Sequence, residues 1–257
     1  MEPGRYDRQI IYENFGPQGQ KQLAAASVLI VGVGGLGSSL AELLCRAGVG
    51  RLRLVDVDTV TLDNLHRQHL YTEADVAGGR TKVAAASEHL AQMNRHVQIE
   101  PLAVRAAPAN ILALMDGMQL VLDGTDNWPT RFVINDACIK TGMPWVYAGA
   151  VGSEAMTMTI VPGVTPCLRC VYPEPPPPCL NLTCRGVGVL GPAVHMIAGV
   201  QAFEAIKLLT GRLDAINRNL LSFDLWTNRI QPFDVAANAA DIDCPCCKRH
   251  RYDYLED

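Results

Sequence analysis

The sequence lacks any long apolar run. The hydrophobic stretch 28–33 soon breaks at glycines, well short of the roughly 18 uninterrupted apolar residues a membrane span needs. The opening Met1-Glu2-Pro3-Gly4-Arg5-Tyr6-Asp7-Arg8 carries no apolar signal stretch, so a cytoplasmic protein without membrane contact is expected. A basic excess is missing too: 22 Lys and Arg against 26 Asp and Glu leave a formal net charge of −4. Nucleic-acid binders usually present a basic face, so no nucleic-acid partner is expected. There is no internal repeat, and a single domain over residues 1–257 with a proline-rich insertion is the simplest organisation.

What is present is a chain of 257 residues, 49% hydrophobic, able to bury a large core. Residues 27–31 form an apolar run of strand length, followed by Leu36, Leu40, Leu43, Leu44 and Ala47 at helical spacing, with Gly48 as a stop. Strands are expected over 51–55, 97–102, 120–122 and 144–148. Helices are expected over 81–93, from Pro108 to Met115, and over 130–140. Such alternation predicts an α/β fold, a Rossmann-like and mostly parallel sheet with helices on both faces. The second half changes character. Residues 155–161 read as an antiparallel strand, and five prolines within 173–178 exclude helix and sheet interior, which marks a flexible loop at about 173–188. A long helix through Val194 and Leu209 is expected to end at Gly211, and 220–225 with 229–233 to form a closing hairpin. No fold is expected for the charged tail.

Gly32-Val33-Gly34-Gly35-Leu36-Gly37 follows the first strand and opens a helix, and Asp56 ends the next strand. This is a dinucleotide or nucleotide phosphate loop with an acidic residue placed for ribose. Asp58 stands two residues further on. The glycines would serve an NAD-dependent oxidoreductase equally well. Attack on an α-phosphate additionally needs cations around the departing pyrophosphate, and usually Mg²⁺. Asn64, Arg67 and Gln68 follow the second strand, Lys82 opens a helix, and Asp126 follows a strand at the carboxyl edge where open α/β sheets bind ligands. Singly, each charge reads as solvated surface. Together they favour an ATP site.

Four motifs occur in order: Arg5-Tyr6-Asp7-Arg8-Gln9-Ile10, the glycine loop, Leu62-Asp63-Asn64-Leu65-His66-Arg67-Gln68, and Asp123-Gly124-Thr125-Asp126-Asn127. From Arg5 to Cys247 the chain resembles the ThiF/MoeB/HesA family, bacterial relatives of ubiquitin-activating enzymes. The resemblance implies an ATP-dependent adenylyltransferase that activates the C-terminal Gly-Gly carboxylate of a small ubiquitin-like sulfur carrier protein. The expected pathway is thiamine or molybdopterin-type cofactor biosynthesis, and residues 144–151 are more similar to the thiamine branch. By motif match, Gly35 lies against the nucleotide with Gly32, Gly34 and Gly37, and Asp56 binds the ribose. Asn64, Arg67 and Lys82 hold the phosphates, and Asp126 binds Mg²⁺ beside Asn127. Arg8 reaches the triphosphate of a neighbouring subunit, which implies a homodimer. A sulfur donor such as a cysteine desulfurase or a rhodanese is implied as a further partner. Asp63 stands where the family usually has a small or polar residue, and the loop at Gly78-Gly79 is longer than in some members.

Nine cysteines in a reducing compartment point to metal binding or reactivity rather than disulfides. Cys45 and Cys138 sit in helical patterns as small hydrophobes. Cys167-Leu168-Arg169-Cys170 and Cys244-Pro245-Cys246-Cys247 each contain C-x-x-C, and two such turns complete a tetrahedral Zn²⁺ site. Spacing leaves Cys246 as either a bystander or a competitor of Cys247. The resemblance favours Cys167, Cys170, Cys244 and Cys247, a closed structural site stapling the antiparallel C-terminal extension. Cys184 lies in the expected loop, where Arg185 would favour its thiolate. In several relatives a cysteine there attacks the activated carrier or handles sulfur. Cys179, close by, is not expected to partner it. His66, His69, His89, His96 and His195 form no spacing that defines a site, and Trp128, Trp145 and Trp226 are expected as core or interface anchors. The rival readings are the NAD-dependent oxidoreductase, adenylation of a peptide C-terminus or a modified tRNA base, and a non-catalytic zinc-stapled module.

Overall fold

In the computed structural model, residues 4–177, 184–239 and 241–256 are described, apart from the side chains of Cys184, Arg185 and Asn238. The apolar run at 27–31 becomes β1 (Ser27–Val31), after two short N-terminal helices, α1 (Asp7–Ile10) and α2 (Gly16–Ala24). The glycine loop then leads into α3 (Gly35–Ala47), which ends on Gly48 at φ +86, a left-handed cap suited to glycine. The chain continues through β2 (Arg51–Val55), α4 (Glu73–Ala77), α5 (Lys82–Met93), β3 (Gln98–Leu102), α6 (Ile111–Met115) and β4 (Leu120–Asp123). Next come α7 (Trp128–Thr141), β5 (Trp145–Val151), β6 (Glu154–Ile160), α8 (Leu168–Val171) and α9 (Cys184–Val187). The long α10 (Gly191–Leu209), the hairpin β7 (Leu220–Asp224) and β8 (Arg229–Phe233), and α11 (Val235–Ala239) complete these elements.

Among the described residues the strands make one sheet in the order β3-β2-β1-β4-β5-β6-β7-β8. The first five run parallel and the last three continue antiparallel. The central strands β1 and β4 are buried on both faces because both are covered, whereas β2 and β3 carry Arg51, Arg53 and Glu100 as cross-strand ion pairs. Val28 and Ile30 pack with Leu40 and Leu44 of α3 and Leu90 of α5, while Leu29 and Val31 pack with Ile111 of α6 and Phe132 and Ile134 of α7. Strand order reverses between β1 and β4, so their carboxyl ends part and leave a crevice.

Several expectations shift. The helix expected from Pro108 begins only at Ile111, because Asn110 Oδ1 takes the Ala107 amide at 2.9 Å in a tight turn. The helix at 130–140 starts earlier, since Asn127 caps it by accepting from the Thr130 amide at 3.0 Å. Thr210 caps α10, one residue before Gly211. Residues 184–187 are helical where a loop is expected, and residues 178–183, which include Cys179, lie outside the described region. Nor is the tail without structure. Tyr254 packs its ring on Phe132 at 4.8 Å and donates its amide to Asp136 Oδ2 at 3.1 Å. Arg169 bridges Asp136 and Asp253, which ties tail, α7 and α8 together. No helix among the described residues is long and apolar enough to cross a membrane.

Candidate active site

Three backbone segments meet at the carboxyl end of β1 with no side chain between them. Gly32 sits at φ +84, and a Cβ there would lie 2.7 Å from the Gly124 carbonyl oxygen. A Cβ on Gly37 would lie 1.8 Å from the Gly32 oxygen, and one on Gly124 would lie 2.2 Å from it. Only glycine fits these positions, which brings β1, the start of α3 and the end of β4 within backbone contact. Gly35 is closed off differently, since a Cβ there would meet Val194 of α10 at 2.8 Å.

Above this crossing lies a cavity of about 720 Å³ lined by Gly32, Gly34, Gly35, Asp56, Asp58, Asn64, Arg67, Gln68, Lys82, Asp126 and Asn127. The expected nucleotide residues from five separate segments therefore converge on one space, with Gly37 packed underneath. Asp56 fixes the loop as well as facing the cavity: its two oxygens accept the Val33 amide at 2.7 Å and the Asp58 amide at 2.8 Å. Lys82 is buried with its ammonium 2.8 Å from Asp58 and 4.0 Å from Asp56. Arg67 donates to the Asp63 carbonyl at 2.8 Å, using one nitrogen and leaving the rest of its fork for an anion. Asp126 is exposed, and its carboxylate makes no hydrogen bond or ion pair among the described residues. Gln68 is 97% buried, yet its Oε1 has no hydrogen-bond partner, and it borders the cavity. A buried orphan acceptor at a cavity wall is what a bound ligand would satisfy.

The far half of the cavity is aromatic. Trp128, Tyr147 and Tyr172 line it together with Arg131, whose guanidinium lies 5.3 Å from the Trp128 ring and 5.2 Å from that of Tyr147. Arg131 donates to buried Asp123 at 3.0 Å and to the carbonyls of Thr125 and Ala148. Burial opposes charge on Arg131, but Asp123 more than offsets this and holds its pKa above the ordinary value. This pair is a strut that sets the Asp123–Asn127 turn against β5. The sequence signal for it was weak, an acid and a base eight residues apart across a strand–helix turn. Tyr71 is a second residue that pattern alone does not reveal: its buried hydroxyl donates to the Val33 carbonyl at 2.7 Å, pinning the glycine loop.

The second constellation lies elsewhere, on the face of the sheet covered by α7 and α8. The Sγ atoms of Cys167, Cys170, Cys244 and Cys247 all lie within 4.8 Å of one another. Neighbouring pairs stand 3.9, 3.6 and 3.4 Å apart, against about 3.8 Å for thiolates on a tetrahedral ion at 2.3 Å. The donor set thus fits zinc. Cys246 is buried but turned aside, accepting from Asn135 Nδ2 at 3.4 Å. Cys45 and Cys138 are buried in α3 and α7 as expected, and burial pushes the Cys45 thiol up to about 11.

Two expected residues are not brought to this chain's own cavity. Arg8 is exposed on α1, outside the cavity lining. The neighbours of Arg8 hold α1 down: Tyr6 is buried, accepting from Asn94 Nδ2 at 2.8 Å, and Gln9 donates to the Ala47 carbonyl. Cys184 opens α9, and its side chain lies outside the described region. Of the tryptophans, Trp145 is fully buried in the core, Trp128 lines the cavity, and Trp226 is 78% exposed at the β7–β8 turn.

Residues 6–246 match the model of the ThiF family, and the chain belongs to that family. It is 40% identical over 252 residues to the "Sulfur carrier protein ThiS adenylyltransferase" of Bacillus subtilis, covering 98% of this chain and 74% of that protein. It is 36% identical over 253 residues to the "SAMP-activating enzyme E1" of Haloferax volcanii, covering 98% and 92%. With the "Adenylyltransferase and sulfurtransferase MOCS3" of Sus scrofa it shares 44% over 243 residues, 95% of this chain, and it spans about half, 52%, of that longer relative. The E. coli MccB structure solved with ATP superposes with a TM-score of 0.81 at 21% identity, over 96% of this chain and 75% of that one, so the fold is shared.

Proposed function

We propose that this chain is an ATP-dependent adenylyltransferase that activates the C-terminal Gly-Gly carboxylate of a small ubiquitin-like sulfur carrier for thiamine or molybdopterin-type cofactor biosynthesis. The observation that carries this reading is one cavity joining the backbone glycine crossing to Asn64, Arg67, Lys82 and Asp126. Glycines alone would suit a dinucleotide. A buried ammonium, a guanidinium and an unpaired carboxylate beside them suit a triphosphate and its divalent cation. The names carried by the relatives support the carrier as substrate.

In the reaction the carrier's terminal carboxylate oxygen attacks the α-phosphorus of ATP. The bond to the bridging oxygen breaks, pyrophosphate leaves with that electron pair, and an acyl-adenylate remains. Asp56 sits at the ribose position. Lys82 leaves Asp58 for the phosphates, and Arg67 and Asn64 meet the charge that builds on the departing group. Asp126, with Asn127 beside it, would hold Mg²⁺, which supplies positive charge against the triphosphate. Arg8, exposed on α1, fits a role in the neighbouring site of a homodimer. Cys184 would attack the acyl-adenylate to form a thioester as AMP leaves, or take sulfane sulfur from the persulfide of a cysteine desulfurase or rhodanese, whose own cysteine returns to the thiol. The closed four-thiolate set of Cys167, Cys170, Cys244 and Cys247 would hold Zn²⁺ with no open position for substrate, a structural role. The protein works in the cytoplasm, and the described chain serves as an adenylation domain.

ATP–pyrophosphate exchange, run with candidate carriers ending in Gly-Gly, tests this. Carrier-dependent exchange is expected, lowered at least about a hundredfold by Asp126→Ala and retained by Cys184→Ala. NADH binding without exchange would overturn the reading.

A further inference from the structure

Behind the glycine loop, on the side away from the cavity, four polar residues form a chain that the adenylation chemistry does not use. Ser39 and Glu42 come from α3, His69 from the segment that carries Asn64, Arg67 and Gln68, and His195 from the first turns of α10. His69 Nε2 lies 2.5 Å from Glu42 Oε2, and its Nδ1 lies 3.4 Å from Ser39 Oγ. Ser39 Oγ is 2.8 Å from His195 Nδ1 and donates to the Gly35 carbonyl at 2.8 Å. The two imidazoles meet edge to face with centroids 4.5 Å apart.

Three of the four adjoin a residue of the nucleotide site, and the fourth, Glu42, holds His69. His69 follows Gln68 directly. His195 follows Val194, the side chain that limits Gly35, and the start of α10 presses on His66 and Arg67 through Gly191, where a Cβ would lie 2.7 Å from the His66 carbonyl oxygen. Ser39 grips the Gly35 carbonyl itself. Ser39 has one hydroxyl proton. While that proton is given to Gly35, Oγ can only accept, so the Nδ1 of each histidine facing it must carry a proton. For His195 this is met by the neutral Nδ1–H tautomer.

We propose that Ser39, His69 and His195 are positioning residues for the nucleotide site, a polar clasp that sets the glycine loop and the Asn64–Gln68 segment against each other across α3 and α10. This rests on the reading of the cavity as an ATP site. The charged and titratable groups acting on the clasp are Glu42 of α3, with Arg46 paired to it one turn on, and the His69 and His195 rings themselves. Burial, and then His69, lower the pKa of His195 below its ordinary 6.5. A second proton on it would set positive charge against the His69 ring, whose electrostatic influence opposes that charge, and weaken the clasp. The neutral form favours the closed clasp, so the contribution is present above pH 6.5 and is lost as pH falls below that value.

Equilibrium binding of Mg²⁺·ATP to the full chain tests this, with wild type, Ser39→Ala, His195→Ala and His195→Asn side by side. At pH 7.5 the two alanine variants should bind about 5- to 10-fold more weakly, each having lost a buried hydrogen bond. His195→Asn, whose amide stands where Nδ1 stands, should recover to within about twofold. Below pH 6.5 wild type should lose affinity more steeply than His195→Asn, and the difference between them cancels the titration of ATP itself. Alanine variants that bind like wild type, or wild type and His195→Asn losing affinity in parallel, would overturn the clasp alone. The asparagine comparison remains decisive where an alanine variant does not fold. Wild type that binds no ATP would overturn the reading of the cavity along with it.

Discussion

The two ends of the sheet hold their functional residues by opposite means. At the parallel end, backbone is packed on backbone at Gly32, Gly37 and Gly124, and the charged side chains stand around that floor on separate segments. At the antiparallel end, two distant stretches of chain, 167–170 and 244–247, are drawn together by the side chains themselves. The first arrangement follows from how a strand turns into a helix and is specified locally. The second depends on chain closure across 77 residues, which a metal cross-link would offset.

Removing the cross-link should therefore give the largest effect. Purified protein is expected to contain one zinc per chain by atomic emission, and Cys167→Ser should lose it. Structural zinc sites contribute on the order of 10 kcal/mol to folding, so the variant or chelated protein should unfold its antiparallel half or fail to fold. A metal-free protein with an unchanged melting curve would erase the contrast. Next in size comes Asp123→Ala, which strands the buried Arg131 and should cost about 3–5 kcal/mol in denaturant unfolding. That result would show that the parallel end also depends on one buried polar strut. The smallest effect is expected from Cys246→Ser, which should keep the metal and cost about 1 kcal/mol, because its thiol accepts from Asn135 and stands outside the four that converge. Loss of metal there would make Cys246 a ligand and redraw the cluster.

The contrast also explains what could be read without coordinates. The glycine loop, Asp56, Lys82 and the first five strands were legible because their signals are short and periodic. The cysteine pairs were legible because C-x-x-C has few other uses; spacing left Cys246 and Cys247 open, the resemblance favoured Cys247, and the grouping of the four thiols agrees. Asp123–Arg131, Tyr71 with Val33, and the tail clamp through Arg169 were not legible. Each joins elements whose separation in sequence says nothing of their distance in space. The histidines show this most clearly. His69 and His195 lie 126 positions apart and no spacing links them, but α3 and α10 bring their rings together.

The glycine crossing has one more consequence, and it concerns entropy. A phosphate pocket floored by main chain has no rotamers to freeze when the nucleotide arrives, whereas each long side chain that must be stilled costs about 0.5–1.5 kcal/mol. The floor can therefore hold phosphate at little ordering cost while discriminating poorly among nucleotides. On the proposed reading, discrimination falls to the side chains around that floor, Arg67 among them, and the ordering cost is borne there.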